Sequence, residues 1–260
     1  MMPLSVIASF YPPALSGDAR FQKHILKEYV QLLILDFLSG TSFLRRLTFI
    51  GGTNLRLVKG IDRFSEDLDF DCNNISAEEF DRMAREVSAF LVRSGFKTLL
   101  REQESSRLTA FRKSLLFPEL LVELGLSGHK DERFMVKLEA QDQGVVYTKD
   151  LALIKGCGLV FSFPVPTDSV LCAMKLSALL SRAKGRDFYD ALFLLGQTKP
   201  DYGFLSAKCG IRQVQDLKAA LVKKLESIDL RQKKKDFEHL LFNQGSSDRI
   251  LHFKDFIQTL

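Results

Sequence analysis

Hydrophobic and polar positions near residue 70 alternate with the two-residue period of a β-strand. Residues 65–71 read Ser-Glu-Asp-Leu-Asp-Phe-Asp, so acidic and apolar side chains take turns. Because side chains two residues apart on a strand share a face, Asp67 and Asp69 are predicted to project together, joined by Asp71 if the strand extends that far. The apolar residues between them are predicted to enter the core.

Two segments in the first hundred residues instead repeat apolar residues with the spacing of α-helices. The first is predicted from Asp18, its N-cap, to Gly40, and the second from a capping-box pattern at residues 76–79 to Gly95. Residues 1–17 are predicted to be irregular, because the prolines at positions 12 and 13 disfavour a regular helix.

Between residues 96 and 148 the pattern is mostly that of strands. Strand-like runs occupy residues 96–103, 107–117 and 132–142, with another at 159–164, whereas residues 119–126 fit a strand or a short helix. From Thr167 the spacing is helical almost to the C-terminus. The sequence therefore predicts an α/β (α+β) chain, with an α/β domain at residues 1–166 and a helical domain at residues 167–260.

Composition narrows the class of protein. The 260 residues are 46% hydrophobic and 27% charged, as in ordinary globular proteins, and no apolar run has the length of a membrane span. The net charge of +5 permits a nucleotide or RNA partner without requiring one. Four cysteines without a C-x-x-C pair and four scattered histidines argue against disulfides and zinc, so we expect a reduced, cytoplasmic protein.

A pair of glycines precedes the acidic strand. Gly51-Gly52 follows an apolar run and leads into a short predicted helix, which lets backbone N–H groups approach a phosphate. Like charges on one strand face cost a few tenths to about 1 kcal/mol, and Mg²⁺ needs only one or two carboxylates beside substrate phosphates. Either feature alone is usually a turn or a solvated strand face. Together, in this order, they indicate phosphoryl or nucleotidyl transfer.

The same block carries a family resemblance. Gly-Gly followed by Asp-x-Asp resembles the first motif of the DNA polymerase β-type nucleotidyltransferases. The longer motif, GGTNLRL followed by RFSEDLDFD, resembles that of the AbiEii/AbiGii toxins of bacterial toxin–antitoxin and phage-defence systems. The resemblance implies a nucleotidyltransferase fold, in which a mixed β-sheet flanked by helices is followed by a helical C-terminal region.

A third carboxylate is expected on a neighbouring strand. Residues 135–139 alternate, which places Lys137 and Glu139 on one face. The family usually has Lys-x-(Asp/Glu) at this place, and the resemblance implies that Glu139 is the general base for an attacking hydroxyl. The alternative is that both residues form the solvent side of an amphipathic strand.

A second block, residues 175–190, also carries the resemblance. On one predicted helix, Lys175 and Arg182 share a stripe that could receive a triphosphate, with Lys175 contacting phosphate as a point charge. Gly185 is predicted to end that helix.

On the following predicted helix, Asp187 and Asp190 share a face. Asp187 could position Lys175 or Arg182, or touch the base or ribose, and the resemblance implies that Lys175 and Asp187 are functional. The alternative is a salt-bridge network between two helices, to which Arg182, Arg186 and Asp190 would belong.

Taken with the resemblance, these blocks predict a nucleotidyltransferase that depends on Mg²⁺ or Mn²⁺. Asp67 and Asp69 are the candidate metal ligands, and the catalytic candidates are Asp67, Asp69, Glu139, Lys175 and Asp187. The nucleotide-binding candidates are Gly51, Gly52, Thr53, Arg56, Ser65, Lys137 and Arg182. Because candidates lie on both sides of residue 166, we expect the helical domain to complete the active-site cleft.

The resemblance also implies partners. An NTP would donate a nucleotide to an RNA, with a tRNA 3′ end as the expected acceptor, and the modification would block translation. A cognate antitoxin would neutralise the enzyme, by phosphorylation or direct binding. Nucleotidylation of a protein or small molecule and a non-catalytic nucleotide-binding module are the alternatives. A basic channel would favour RNA, and its candidate residues are Arg182, Lys184, Arg186 and Lys233 to Lys235.

Overall fold

The computed structural model describes residues 1–102 and 110–260, which form two compact units. The first unit comprises the described parts of residues 1–60, 64–143 and 151–165. The second comprises residues 61–63, 144–150 and 166–260. The parts of the predicted strands at residues 103 and 107–109 lie outside the described residues.

The first unit opens with helices α1 (Leu4–Ser9), α2 (Pro13–Ser16) and α3 (Ala19–Ser39). The prediction that residues 1–17 are irregular is therefore wrong. Pro13 occupies the first position of α2, where the N–H that proline lacks would have no helical partner. Asp18 caps α3 as predicted, since its carboxylate accepts a hydrogen bond of 2.9 Å from the backbone N–H of Arg20.

The chain then forms the glycine-containing strand and turn. A 3₁₀ helix (Ser42–Arg46) leads into strand β1 (Leu47–Ile50), helix α4 (Gly51–Leu57), strand β2 (Asp67–Cys72) and helix α5 (Ala77–Arg93). The predicted capping box of α5 is confirmed, because Ser76 and Glu79 exchange two side chain–backbone hydrogen bonds of 3.2 Å. The face of α5 that enters the core consists of Phe80, Met83, Ala84, Val87 and Leu91.

Three of the predicted strand runs are confirmed as β3 (Leu99–Glu102), β4 (Phe111–Leu116) and β5 (Met135–Gln141). Residues 119–126, which fitted either a strand or a helix, contain the short helix α6 (Leu120–Glu123). Within the described residues the sheet order is β1-β2-β5-β4-β3. Strands β2 and β5 are parallel, and the other neighbours are antiparallel.

A separate two-stranded sheet follows, formed by β6 (Lys149–Gly156) and β7 (Leu159–Pro166). Strand β7 was predicted, but β6 was not. The outward-facing Leu151 and Leu153 of β6 are exposed apolar residues, so this strand lacks the polar–apolar alternation of a half-buried strand.

The large sheet buries one face against the core of the first unit. Alternate positions of its central strands are fully buried, namely Leu68, Phe70, Val136, Leu138 and Leu115. Phe70 lies 5.9 Å from Phe163 and 6.0 Å from Phe49 between ring centroids. Because strand side chains alternate, burial of these residues directs the intervening polar side chains to the opposite face.

The second unit is mainly helical, as predicted from Thr167 onward. Its helices are α7 (Asp168–Arg182), α8 (Gly185–Leu195), α9 (Tyr202–Cys209), α10 (Val214–Leu225), α11 (Leu230–Lys235) and α12 (Phe253–Thr259), with 3₁₀ helices at Glu238–Leu240 and Gln244–His252. Helix α7 ends at Arg182 and not at the predicted Gly185. Its C-cap is Ala183, which has a φ of 49°. None of the helices in the described residues is long and apolar enough to cross a membrane.

Gly185 allows helices α8 and α11 to pack in close contact. A Cβ at Gly185 would lie 1.9 Å from the backbone oxygen of Lys233, so the two backbones are in direct contact at this point. The contact brings the first turn of α8 next to the basic residues of α11.

Candidate active site

The acidic face predicted from the sequence is formed by two parallel strands. Asp67 and Asp69 lie on β2, and their register partners on β5 are Lys137 and Glu139, respectively. Neighbouring strands are about 4.8 Å apart, so Asp69 and Glu139 are adjacent across the ladder. All four side chains are partly exposed, on the face of the sheet opposite the buried Leu68. The structure therefore brings the candidate metal ligands and the candidate general base together.

Asp71 does not share this exposed environment. Its side chain is buried, and Oδ1 accepts a hydrogen bond of 2.8 Å from the backbone N–H of Gln143. Its carboxylate is thus used to hold the chain that leaves β5.

Two cations lie among the carboxylates on the described part of this face. Lys137 Nζ is 3.8 Å from Asp67 Oδ1, and Arg112 Nε is 3.0 Å from Glu139 Oε2. The sequence predicts that a metal ion relieves repulsion between the carboxylates, but Lys137 and Arg112 already supply compensating positive charge. Arg112 was missed because its place opposite Glu139 depends on the β4–β5 register, which the local pattern does not specify.

Gly51 is required by the position of Asp69. Its φ is +82°, and a Cβ built on it would lie 2.0 Å from Asp69 Oδ2. Helix α4 therefore begins directly against the carboxylate of a candidate metal ligand. Any side chain at position 51 would both strain the backbone and displace Asp69.

The next residues of the glycine block hold α4 to the sheet. The Thr53 hydroxyl donates a hydrogen bond to the backbone oxygen of Asp67, and Asn54 Nδ2 donates one of 2.7 Å to the backbone oxygen of Phe49. Both side chains are buried. Thr53, a nucleotide-binding candidate, thus makes a contact that positions the start of β2.

Arg56 and Ser65 also contact the first unit's own helix α3. Arg56 donates hydrogen bonds of 2.8 and 3.1 Å to the two carboxylate oxygens of Glu28, which is buried. The backbone oxygen of Ser65 accepts a hydrogen bond of 3.2 Å from Gln31 Nε2. These contacts attach both ends of the segment between α4 and β2 to α3.

In the second unit, Lys175 belongs to a buried charged cluster. Its Nζ lies 2.9 Å from Asp190 Oδ2, and Arg63 donates hydrogen bonds of 2.8 Å to both oxygens of Asp190. Burial acts to raise the pKa of Asp190, but the charges of Arg63 and Lys175 hold that pKa below its usual range. From the sequence, Asp190 is predicted to belong only to a salt-bridge network, and no pattern singles out Arg63.

Asp187 contacts Arg182, one of the two partners that the sequence left open. It accepts hydrogen bonds of 3.0 and 2.8 Å from the guanidinium, and one of 3.0 Å from the backbone N–H of Lys184. Asp187 is fully buried and stabilises the first turn of α8. The carboxylate on Lys175 is that of Asp190 instead.

The donor set on the acidic face fits a hard divalent cation. Within residues 1–102 and 110–260, no three His, Cys, Asp or Glu side chains are grouped closely enough to hold a metal ion alone. Asp67 and Asp69 nevertheless supply the two carboxylates that Mg²⁺ takes when substrate phosphates provide the other oxygens.

The chain matches a known protein family. Residues 34–257 match the family described as nucleotidyl transferase AbiEii toxin, type IV TA system. None of the curated protein sequences compared with the chain matches it.

Solved structures share the fold. MenT4, a nucleotidyltransferase toxin from Mycobacterium tuberculosis H37Rv, is 19% identical with a TM-score of 0.67, over 100% of this chain and 91% of that one. JHP933 from Helicobacter pylori is 18% identical with a TM-score of 0.53, over 91% of this chain and 90% of that one. Since the family match spans most of the sequence, this chain belongs to the AbiEii family of nucleotidyltransferase toxins of type IV toxin–antitoxin systems.

Proposed function

We propose that this nucleotidyltransferase transfers a nucleoside monophosphate from an NTP to the 3′ end of a tRNA and thereby blocks translation. The observation that carries the proposal is the pairing of Asp69 with Glu139 across β2 and β5, with Asp67 on the same face. This face combines candidate metal ligands with a candidate base. A type IV family also implies an antitoxin partner, which would restrain the enzyme in the cytoplasm.

Asp67 and Asp69 would hold Mg²⁺ or Mn²⁺ in this proposal. When bound, such an ion neutralises charge on the triphosphate and orients it for in-line attack. Gly51 supports this use of Asp69, because the absent side chain leaves room for the carboxylate.

Glu139 would accept the proton of the attacking RNA hydroxyl as its oxygen bonds to the α-phosphorus and the bond to pyrophosphate breaks. Arg112, 3.0 Å from Glu139, would orient the carboxylate. Lys175 would neutralise charge on the departing pyrophosphate.

The contact between α8 and α11 supports an RNA acceptor. Lys184 and Arg186 flank Gly185, which contacts the backbone of Lys233, and Lys235 follows two residues later; these four cations are here named the α8–α11 surface. Clustered cations of this kind attract a run of RNA phosphates, because neutralising phosphates releases their counterions.

The reaction is tested by incubating the protein with total tRNA, Mg²⁺ and each radiolabelled NTP in turn. We expect labelled RNA with at least one NTP, and loss of the label after treatment with a 3′ exonuclease. Label on the protein itself or on a small molecule, or no transfer to RNA, would contradict the proposed acceptor.

Substitutions on the α8–α11 surface should separate RNA binding from nucleotide binding. In the Lys184→Gln/Lys235→Gln variant we expect a higher KM for RNA and an unchanged KM for the NTP. The slope of log KM against log salt should fall by about 0.7 for each lost contact to single-stranded RNA. Lys199→Gln, at an exposed position elsewhere in the second unit, serves as the control and should leave both values unchanged.

Lys175→Met tests the phosphate contact. The substitution keeps both hydrogen bonds from Arg63 to Asp190, so the buried carboxylate stays paired and the fold should survive. Loss of a charge-assisted hydrogen bond of about 1.5–3 kcal/mol should weaken nucleotide binding by about tenfold to a hundredfold. Lys175→Arg should restore little of the nucleotide affinity, because a planar guanidinium replaces a compact ammonium group. A lower Tm with unchanged nucleotide affinity would assign Lys175 to structure alone.

A further inference from the structure

Arg63 is an unusual core residue. Its side chain has no exposed surface and ranks with the largest fully buried side chains of the protein. Burying an ion pair generally stabilises a fold no better than an apolar pair of similar volume. Stability alone is therefore a weak reason for a guanidinium at this position.

Arg63 constrains the orientation of Asp190. Its Nε and Nη2 bind Oδ1 and Oδ2 at 2.8 Å, a two-point contact that stops the carboxylate from rotating. Lys175 Nζ approaches the same Oδ2 at 2.9 Å. Because Arg63 occupies the facing edge of the carboxylate, Lys175 must approach Oδ2 from a different direction.

The Lys175 ammonium has capacity for a further contact. Its side chain and those of Arg63 and Asp190 are all more than nine-tenths buried. Lys175 has three N–H donors, and its contact with Asp190 uses one of them. A buried cation with remaining donors is well suited to an anionic ligand such as a phosphate group.

The backbone around Arg63 is held by other parts of the second unit. Arg63 pairs with Leu241 in an antiparallel β-bridge. The backbone N–H of Phe242 donates a hydrogen bond of 3.2 Å to the backbone oxygen of Asp62. The hydroxyl of Tyr189, which is on the same helix as Asp190, donates a hydrogen bond of 2.7 Å to Asp62 Oδ1. The position of the guanidinium is therefore fixed from several sides.

We propose that Arg63 is a positioning residue for the nucleotide, acting through Asp190 to aim the ammonium of Lys175 at a phosphate group of the NTP. The inference rests on the proposed function of Lys175 as a phosphate ligand. Residues 241–242, far from the motif blocks in sequence, would contribute to this role by holding the segment that carries Arg63.

A double-mutant cycle tests this role, with Kd for each of the four NTPs measured by calorimetry in the presence of Mg²⁺. Arg63→Gln keeps the contact between Lys175 and Asp190 and should raise Kd by about tenfold, within the coupling range of contacting residues. In the Lys175→Met background, the same substitution should change Kd by less than about twofold. If Arg63→Gln does not fold, Arg63→Lys, which keeps the charge but loses the two-point contact, takes its place in the cycle.

Asp201→Ala is the matched control. It removes the N-cap of α9, whose carboxylate accepts a hydrogen bond of 2.7 Å from the backbone N–H of Phe204, and it leaves the contacts of Arg63 and Asp190 in place, so it should lower Tm and leave Kd unchanged. An Arg63 variant with lower Tm but unchanged Kd, or with the same increase in Kd in both backgrounds, would overturn the inference alone. If Lys175→Met itself leaves Kd unchanged, both the inference and the proposed role of Lys175 fail.

Discussion

Asp69→Asn is expected to abolish nucleotidyl transfer while the fold is retained. The amide has the shape of the carboxylate but lacks the negative charge that a hard cation requires. Loss of about 4 kcal/mol of transition-state stabilisation would lower kcat by about a thousandfold. Because the side chain is partly exposed, the free energy of unfolding should change by less than about 0.5 kcal/mol.

Asp71→Ala is the control for this experiment. Asp71 is on the same strand but buried, and it accepts a hydrogen bond from Gln143. The variant should lose about 1–3 kcal/mol of stability and keep its activity once folded. Chemical denaturation and a transfer assay on both variants separate the two roles. Full activity of Asp69→Asn, or its unfolding under assay conditions, would contradict the metal-ligand assignment.

Gly51→Ala should produce the second large effect, and its cause is steric. The substitution costs about 1–2 kcal/mol because an L side chain disfavours the backbone conformation of this residue, whose φ is +82°. The new Cβ would also overlap Asp69 Oδ2, so the carboxylate must move. A displacement of about 1 Å at a reacting centre can cost about a hundredfold in rate.

Gly60→Ala separates these two causes. Gly60 has a similar φ of +73°, but a Cβ there would meet no atom within 4 Å. Gly60→Ala should therefore lose only the stability that backbone strain costs and keep its transfer activity, whereas Gly51→Ala should lose at least as much stability, measured by denaturant unfolding, together with its transfer activity. Equal activity in the two variants would show that Asp69 tolerates the displacement.

Local features of the fold follow directly from the sequence. Caps and periodicity depend on residues within a few positions of each other, so the Asp18 cap, the Ser76 capping box and strand β5 were predicted correctly. The prediction from local sequence is wrong where one residue type has opposite effects at different positions of a helix. Pro13 blocks a helix interior but begins helix α2.

The candidate site likewise combines features that the sequence predicts with features that depend on tertiary structure. The sequence by itself determined that Asp67 and Asp69 share a strand face, because the period of a strand is two residues. Only the tertiary structure decided that Glu139 lies beside Asp69 and Arg112 beside Glu139, since strand register is set by packing between distant segments.

The buried cluster of the second unit depends even more on tertiary structure. Arg63 and Asp190 are 127 residues apart in the chain, and no local pattern links them. An arginine among polar residues normally indicates an exposed position, because a guanidinium is rarely buried without a paired acid. Folding supplies that acid, because Asp190 binds the guanidinium of Arg63 and also contacts Lys175.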